Sequence, residues 1–92
     1  MSQELKKPLT SDQVRAARAL VRWSAEDLSQ RSSVSLRTIR RAELAEQVMT
    51  MTNANNLAIR RALEDAGVEF IDENGGGPGV RLRKRQRPKK TK

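Results

Sequence analysis

The chain has 92 residues, of which 36% are hydrophobic and 2% aromatic, and it carries a net charge of +8. It contains no cysteine and no histidine, which excludes a disulfide framework, a cysteine metal site and histidine-based catalysis. No apolar run reaches the roughly 18 residues that a membrane span needs, and the N-terminus lacks the apolar segment of a signal peptide. We therefore expect one small cytoplasmic domain that uses no metal and no cofactor.

The charge is unevenly distributed along the chain. Residues 14–42 hold seven arginines and two acids, residues 43–73 hold two arginines and seven acids, and residues 74–92 hold eight basic residues and no acid. The basic segments, 14–42 (the basic front) and 74–92 (the basic end), attract a polyanion such as DNA, whereas the acidic segment 43–73 repels it. The pattern indicates a nucleic-acid partner that meets the front and the end of the chain.

The first 22 residues predict an arm followed by a helix. Residues 1–10 are polar and predict a flexible arm. A helix is expected over residues 12–22, because Thr10 or Ser11 can cap it and apolar residues recur on one face. A stripe of arginines lies on another face, where phosphate contact and ordinary solvation fit the sequence equally well. These arginines are Arg15, Arg18 and Arg22.

Two short helices joined by a tight turn are predicted over residues 24–43. Trp23 precedes them and is expected to pack against the core or a helix end, since base stacking belongs mainly to single-strand binders. Ser24 caps the first helix, with Asp27 placed as in a capping box. Small polar residues favour a turn before Ser35, which caps the second helix. The residues expected to form a small core here are Leu28, Val34, Ile39 and Ala42.

The second helix of this pair carries long hydrogen-bond donors on its outward face. These residues are Arg37, Thr38, Arg40 and Arg41. Donors that reach base edges, on a helix with a buried side to hold it, are what a major-groove reading helix needs. The alternative is a solvated face whose arginines pair with nearby acids. We favour DNA contact, because this face carries no acid before Glu43.

The second half of the chain is predicted to form a helix and two strands. Residues 44–51 fit either a short helix or an ordered loop. A clearer helix over 53–66 is capped by Thr52, and Gly67 can end it. Its buried face comprises Ile59, Ala62, Leu63 and Ala66, while Arg60, Arg61, Glu64 and Asp65 lie largely outside that face.

The period then changes to two, which predicts strands over 68–72 and 80–83 on either side of a glycine-rich turn. The strands form either a hairpin or a pairing across a dimer, and a lone hairpin must pack on another element to be stable. Residues 84–92 are basic and of low complexity, and we expect them to be a disordered tail.

Residues 24–43 resemble the helix-turn-helix of the phage repressor and Cro-like (XRE-type) transcriptional regulators. The residues that carry the resemblance are Leu28, Val34, Ser35, Ile39 and Glu43. It extends over about residues 10–66 and implies a mostly α, lambda-repressor-like bundle of about five helices. The strand pair at 67–83 is similar to the short β element that compact members of this group append. It is a possible dimerisation element.

The resemblance also implies roles for individual residues. Arg37 and Arg41 match base-contacting positions, and Thr38 and Arg40 lie beside them, where they contact either bases or phosphates. Leu36 occupies a position where the family often has a polar residue that contacts a base. Leu36 therefore either contacts a thymine methyl group or only packs within the protein. Arg18 matches a position that pairs with the residue matching Glu43 and also faces the DNA backbone. The expected phosphate contacts are Ser24, Ala25, Arg18, Arg22 and Ser35.

The sequence thus predicts a DNA-binding domain over residues 11–66 that recognises double-stranded DNA in a sequence-specific way. We expect a transcriptional regulator, with repression as the default, that binds an inverted-repeat operator as a homodimer. One alternative is a protein-interaction module, such as an antitoxin or anti-activator, that uses the same fold to dock a protein. An enzyme is remote, because the acids at 64–73 have no histidine partner and no pocket in view.

Overall fold

The structure is a computed structural model and describes residues 8–44 and 51–83. These residues form four helices and two strands: α1 (Ser11–Val21), α2 (Ala25–Ser32), α3 (Leu36–Leu44), α4 (Asn53–Asp65), β1 (Val68–Ile71) and β2 (Gly79–Leu82). The prediction of a mostly helical chain followed by a strand pair is confirmed. The fifth of the expected helices would fall mainly on residues 45–50, which lie outside the described residues, as do the predicted tail at 84–92 and most of the arm.

α1 begins at a reciprocal cap that the sequence predicts only in part. Thr10 Oγ1 accepts the N–H of Gln13, and Gln13 Oε1 accepts the N–H of Thr10, each at 3.0 Å. The helix ends at Arg22, which adopts a left-handed conformation with φ 60°. Leu9 is only 1% exposed, so the arm predicted at 1–10 is too long. Leu9 and Thr10 belong to the folded unit, because apolar burial and the cap hold them there.

α2 and α3 follow the predicted pattern closely. Ser24 and Asp27 form the capping box, with Asp27 N–H to Ser24 Oγ at 3.0 Å and Ser24 N–H to Asp27 Oδ2 at 2.9 Å. Ser33 ends α2 in a left-handed conformation with φ 64°. Val34 fills the turn and is 4% exposed, and Ser35 Oγ caps α3 by accepting the N–H of Thr38 at 3.1 Å.

One apolar core joins all four helices and the strand pair. The side chains at its centre include Leu9, Val14, Leu28, Ile39, Ile59, Leu63 and Val68. Burial of each such large aliphatic side chain stabilises the fold by about 1.5–3 kcal/mol. Trp23 is partly buried and packs against this core, as the sequence predicts. No described helix is both long enough and apolar enough to cross a membrane.

The two strands form an antiparallel hairpin within the chain, which decides between the two alternatives that the sequence left open. Val68 pairs with Leu82, and Phe70 pairs with Val80. The hairpin begins at Gly67, whose φ of 108° suits glycine. Gln13 of α1 contacts the end of the hairpin that is next to the turn. The Nε2 of Gln13 donates to the carbonyls of Ile71 and Gly79 at 3.2 and 3.0 Å.

Two residues of the predicted helix 53–66 differ from the predicted burial. The sequence places Arg60 outside the buried face, yet it is 4% exposed. Its guanidinium lies 5.2 Å from the ring centre of Phe70 and 3.7 Å from the carboxylate of Glu64. Phe70 of β1 lies against Arg60, a contact that the periodicity of the helix alone does not reveal. Ala66 is exposed because it lies at the C-cap, beyond the last turn of α4.

Candidate nucleic-acid interface

α3 has a buried face that anchors it and an outward face that is mostly arginine. The buried residues are Ile39, Ala42 and Glu43. The exposed arginines are Arg37, Arg40 and Arg41. Because successive residues of a helix are about 100° apart, Arg37 and Arg41 lie within about 40° of each other at the centre of the outward face. Arg40 lies on one flank of that face and Thr38 on the other.

Arg37 and Arg41 are the available cations at the centre of this face. Neither forms a hydrogen bond or an ion pair with any residue in 8–44 or 51–83. Like charges four residues apart on a helix destabilise it by about 0.2–0.5 kcal/mol. Both guanidinium groups are exposed without a described acid to neutralise them.

Arg40 differs from its two neighbours because it is already paired. Its Nη2 donates to Glu26 Oε2 at 2.9 Å, and both side chains are 57% exposed. The contact joins the first turn of α2 to the middle of α3. For Arg40, the alternative of pairing with a nearby acid is therefore observed. Sequence reasoning did not single out Glu26, because a contact over 14 residues depends on how the helices pack.

Arg18 and Glu43 form the ion pair that the resemblance implies. Arg18 Nε and Nη2 donate to the two carboxylate oxygens of Glu43 at 2.7 and 2.8 Å, and Nη1 donates to the Trp23 carbonyl at 2.9 Å. The hydrogen bond to Glu43 raises the pKa of Arg18, against the opposing effect of burial. All three guanidinium nitrogens have protein acceptors, so Arg18 anchors α3, and its phosphate contact stays a prediction.

The N-terminus of α2 carries two acids and a capping box. Ala25 is 7% exposed, and the first turn contains Glu26 and Asp27. Asp27 accepts the N–H of Ser24, and Ser24 Oγ accepts the N–H of Asp27, so two N–H groups at this helix start have partners within the chain. The phosphate contacts of Ser24 and Ala25 stay predictions.

The remaining predicted site residues lie around the outward face or near it. Ser35 Oγ donates to Thr38 Oγ1 at 2.9 Å, which leaves the Thr38 hydroxyl proton directed elsewhere. Leu36 is half-buried and packs against the core, which favours its packing role. Arg22 is exposed and has no side-chain partner in the part of the chain that the structure describes.

The acids of the second half do not assemble into a metal site within the described residues. Glu69 pairs with Arg81 across the hairpin at 2.6 Å. Glu73 Oε2 accepts the N–H groups of Gly75 and Gly77 at 3.0 and 3.2 Å, which orders the turn. These carboxylates thus have structural partners.

Two further arginines make contacts that were not predicted from the sequence. Arg15 donates to the carbonyl oxygen of Glu43 and pairs with Asp12, and Arg31 lies 4.9 Å from the ring centre of Trp23. Both arginines are thereby engaged with the chain itself.

No protein-family model matches this chain, and no curated protein matches it either.

Proposed function

We propose that this chain binds double-stranded DNA in a sequence-specific way and regulates transcription in the cytoplasm. In this proposal α2 and α3 are the helix-turn-helix of a lambda-repressor-like bundle of about five helices, similar to the phage repressor and Cro-like regulators. The observation that carries it is the pair Arg37 and Arg41, which are exposed, adjacent on α3 and unpaired among the described residues.

The way α3 is held supports this proposal. Ile39 is 0% exposed, and the Arg18–Glu43 pair fixes the same helix to α1. A reading helix must be held firmly, because base recognition depends on the placement of a few hydrogen bonds. An arginine that donates two bonds to a guanine contributes about 1–3 kcal/mol of discrimination.

We further propose that the protein acts as a homodimer on an inverted-repeat operator, with repression by occlusion. Half-sites about 34–36 Å apart place both copies of α3 on one side of the duplex. The candidate dimer contact is α4 with the hairpin. Leu57 of α4 and Leu82 of β2 are each 42% exposed there, so apolar surface is available for association.

The test is selection of bound sequences from random duplex DNA by the purified wild-type protein. An enriched inverted repeat is the expected result, and its spacing defines the geometry of the dimer. Tight, salt-sensitive binding without enrichment contradicts sequence specificity. Absence of DNA binding contradicts the proposal as a whole and favours the protein-interaction module.

A further inference from the structure

The ion pair between Glu26 and Arg40 lies at the edge of the proposed interface. The two side chains meet at 2.9 Å, and each is 57% exposed to solvent. α2 and α3 already share buried contacts, since Leu28 and Ile39 belong to the same core. An ion pair with this exposure adds little to folding, because solvent screens it. The contribution of this ion pair to folding is therefore small, and we expect its role to lie in DNA binding at the protein surface.

Glu26 is the acid that neutralises part of the outward face of α3. In the described ranges 8–44 and 51–83, it is the carboxylate that hydrogen-bonds to one of the three outward arginines of that helix. Glu43, by contrast, points inward to Arg18 and is buried. The ion pair neutralises Arg40 on the flank of the outward face and does not involve Arg37 or Arg41 at its centre.

We infer that Glu26 competes with a DNA phosphate for the guanidinium of Arg40 and thereby lowers the affinity of the protein for all DNA sequences. This inference rests on the proposed function. A helix that lies in the major groove directs its central side chains to base edges and its flanking side chains to the phosphates along the groove. Arg40 lies on a flank, beside the centre formed by Arg37 and Arg41, so its DNA partner is a phosphate.

The competition has a measurable salt signature. While Arg40 stays paired with Glu26, it neutralises no phosphate and releases no counterion from the DNA. Without the carboxylate, Arg40 neutralises one phosphate in full, which steepens the slope of log K against log salt by about 0.9. At about 0.1 M salt, that slope corresponds to roughly 8-fold tighter binding.

The experiment compares wild-type protein with Glu26→Gln on two duplexes, the selected operator and a random sequence, at several salt concentrations. Glu26→Gln is expected to bind both duplexes about 5- to 10-fold more tightly at about 0.1 M salt, by the same factor, because a phosphate contact carries no sequence information. A gain on the operator alone overturns the inference, since Arg40 would then read a base.

Two further variants separate the competition from a simple change of net charge. Asp12→Asn removes the same charge from another exposed ion pair, that of Asp12 with Arg15 on α1, outside both α3 and the candidate dimer contact. Arg15 still donates to the carbonyl of Glu43, so binding is expected to stay within about 2-fold of wild type on charge grounds. Glu26→Gln/Arg40→Gln is expected to return to about the wild-type affinity and slope. If the double variant keeps the gain of Glu26→Gln, the carboxylate does not act through Arg40 and the inference is wrong.

Failure of the inference differs from failure of the proposed function. If wild-type protein binds the operator and Glu26→Gln binds it equally or less tightly, the inference alone is overturned, and Glu26 holds α3 instead. If wild-type protein binds no duplex at any salt concentration, the proposed function is overturned and the inference with it. Thermal unfolding of each variant verifies that the compared proteins are folded.

Discussion

Arg18 of α1 and Glu43 of α3 meet through two parallel hydrogen bonds of 2.7 and 2.8 Å, with side chains only 22% and 10% exposed. Two-point pairing of a guanidinium with a carboxylate is geometrically specific and stronger than a neutral hydrogen bond. Arg18 also donates to the carbonyl of Trp23, the residue before the N-cap of α2. One side chain of α1 therefore contacts both α3 and the residue that leads into α2. The orientation of the arginine face of α3 depends on this junction.

Removal of one partner of this junction should destabilise the fold clearly. Glu43→Ala leaves the guanidinium of Arg18 partly buried without its carboxylate, and we expect a loss of about 2–3 kcal/mol in the free energy of unfolding. Urea denaturation of Glu43→Ala, Arg18→Ala and the double variant measures the coupling, expected at about 1.5–3 kcal/mol.

The exposed pair of Glu69 and Arg81 provides the matched comparison, with side chains 45% and 66% exposed. Its coupling in the same assay should stay below about 1 kcal/mol, because solvent screens both charges. Equal coupling energies in the two pairs would contradict the anchoring role of Arg18 and Glu43.

The central arginines of α3 should control sequence preference. Arg37→Ala or Arg41→Ala is expected to reduce discrimination between the operator and single-base variants by about 1–3 kcal/mol at the position that each reads. Competition binding against a panel of operator variants measures this directly.

Arg61→Ala is the control for the loss of one positive charge, since Arg61 is exposed on α4. It should weaken binding slightly and equally for all operator variants, because an exposed charge acts without regard to sequence. If Arg61→Ala relaxes sequence preference as much as Arg37→Ala does, α3 is not the reading helix.

Gly67 should be intolerant of a side chain for reasons of backbone conformation alone. Its φ is 108°, and a Cβ built there meets no atom within 4 Å. We expect Gly67→Ala to cost about 1–3 kcal/mol through backbone strain. Gly79→Ala is the control, since its Cβ would lie 3.9 Å from Ile71 Cδ1 in ordinary contact. Thermal unfolding compares the two, and similar losses would rule out strain as the cause.

Deletion of residues 84–92 removes six basic residues. We expect weaker binding to operator and random duplex by the same factor, because these charges attract phosphates of any sequence. The slope against log salt should become shallower by up to about 0.9 for each phosphate that this segment neutralises in the full chain. Salt titrations of the full chain and the shortened chain on both duplexes measure this. A change in the preferred sequence would show instead that this segment takes part in base recognition.

Features that depend on a few neighbouring residues could be predicted from the sequence. The Ser24–Asp27 capping box, the Ser35 and Thr52 caps and the Gly67 terminus were all placed correctly, because each is a contact within one turn. The outward arginines of α3 were placed correctly for the same reason, since helical periodicity alone separates them from Ile39.

Features that depend on which elements pack together could not be predicted in this way. The periodicity of α4 places Arg60 at the surface because its own helix offers no reason to bury it, yet it is buried and Phe70 of the hairpin lies against it. The local sequence places Leu9 in an arm because nothing beside it in the chain is apolar enough to hold it. The Arg18–Glu43 pair is implied by a family resemblance and not by the local pattern.

The sequence by itself determined the helices, their caps, the strand pair and the charge of each face, because these follow from contacts between residues close in the chain. Only the tertiary structure decided which arginines remain available. Arg18 is paired across 25 residues and Arg40 across 14, whereas Arg37 and Arg41 meet no described acid. The physical reason is that an ion pair forms only when packing brings two charges within a few ångströms, and the core fixes how α1, α2 and α3 cross.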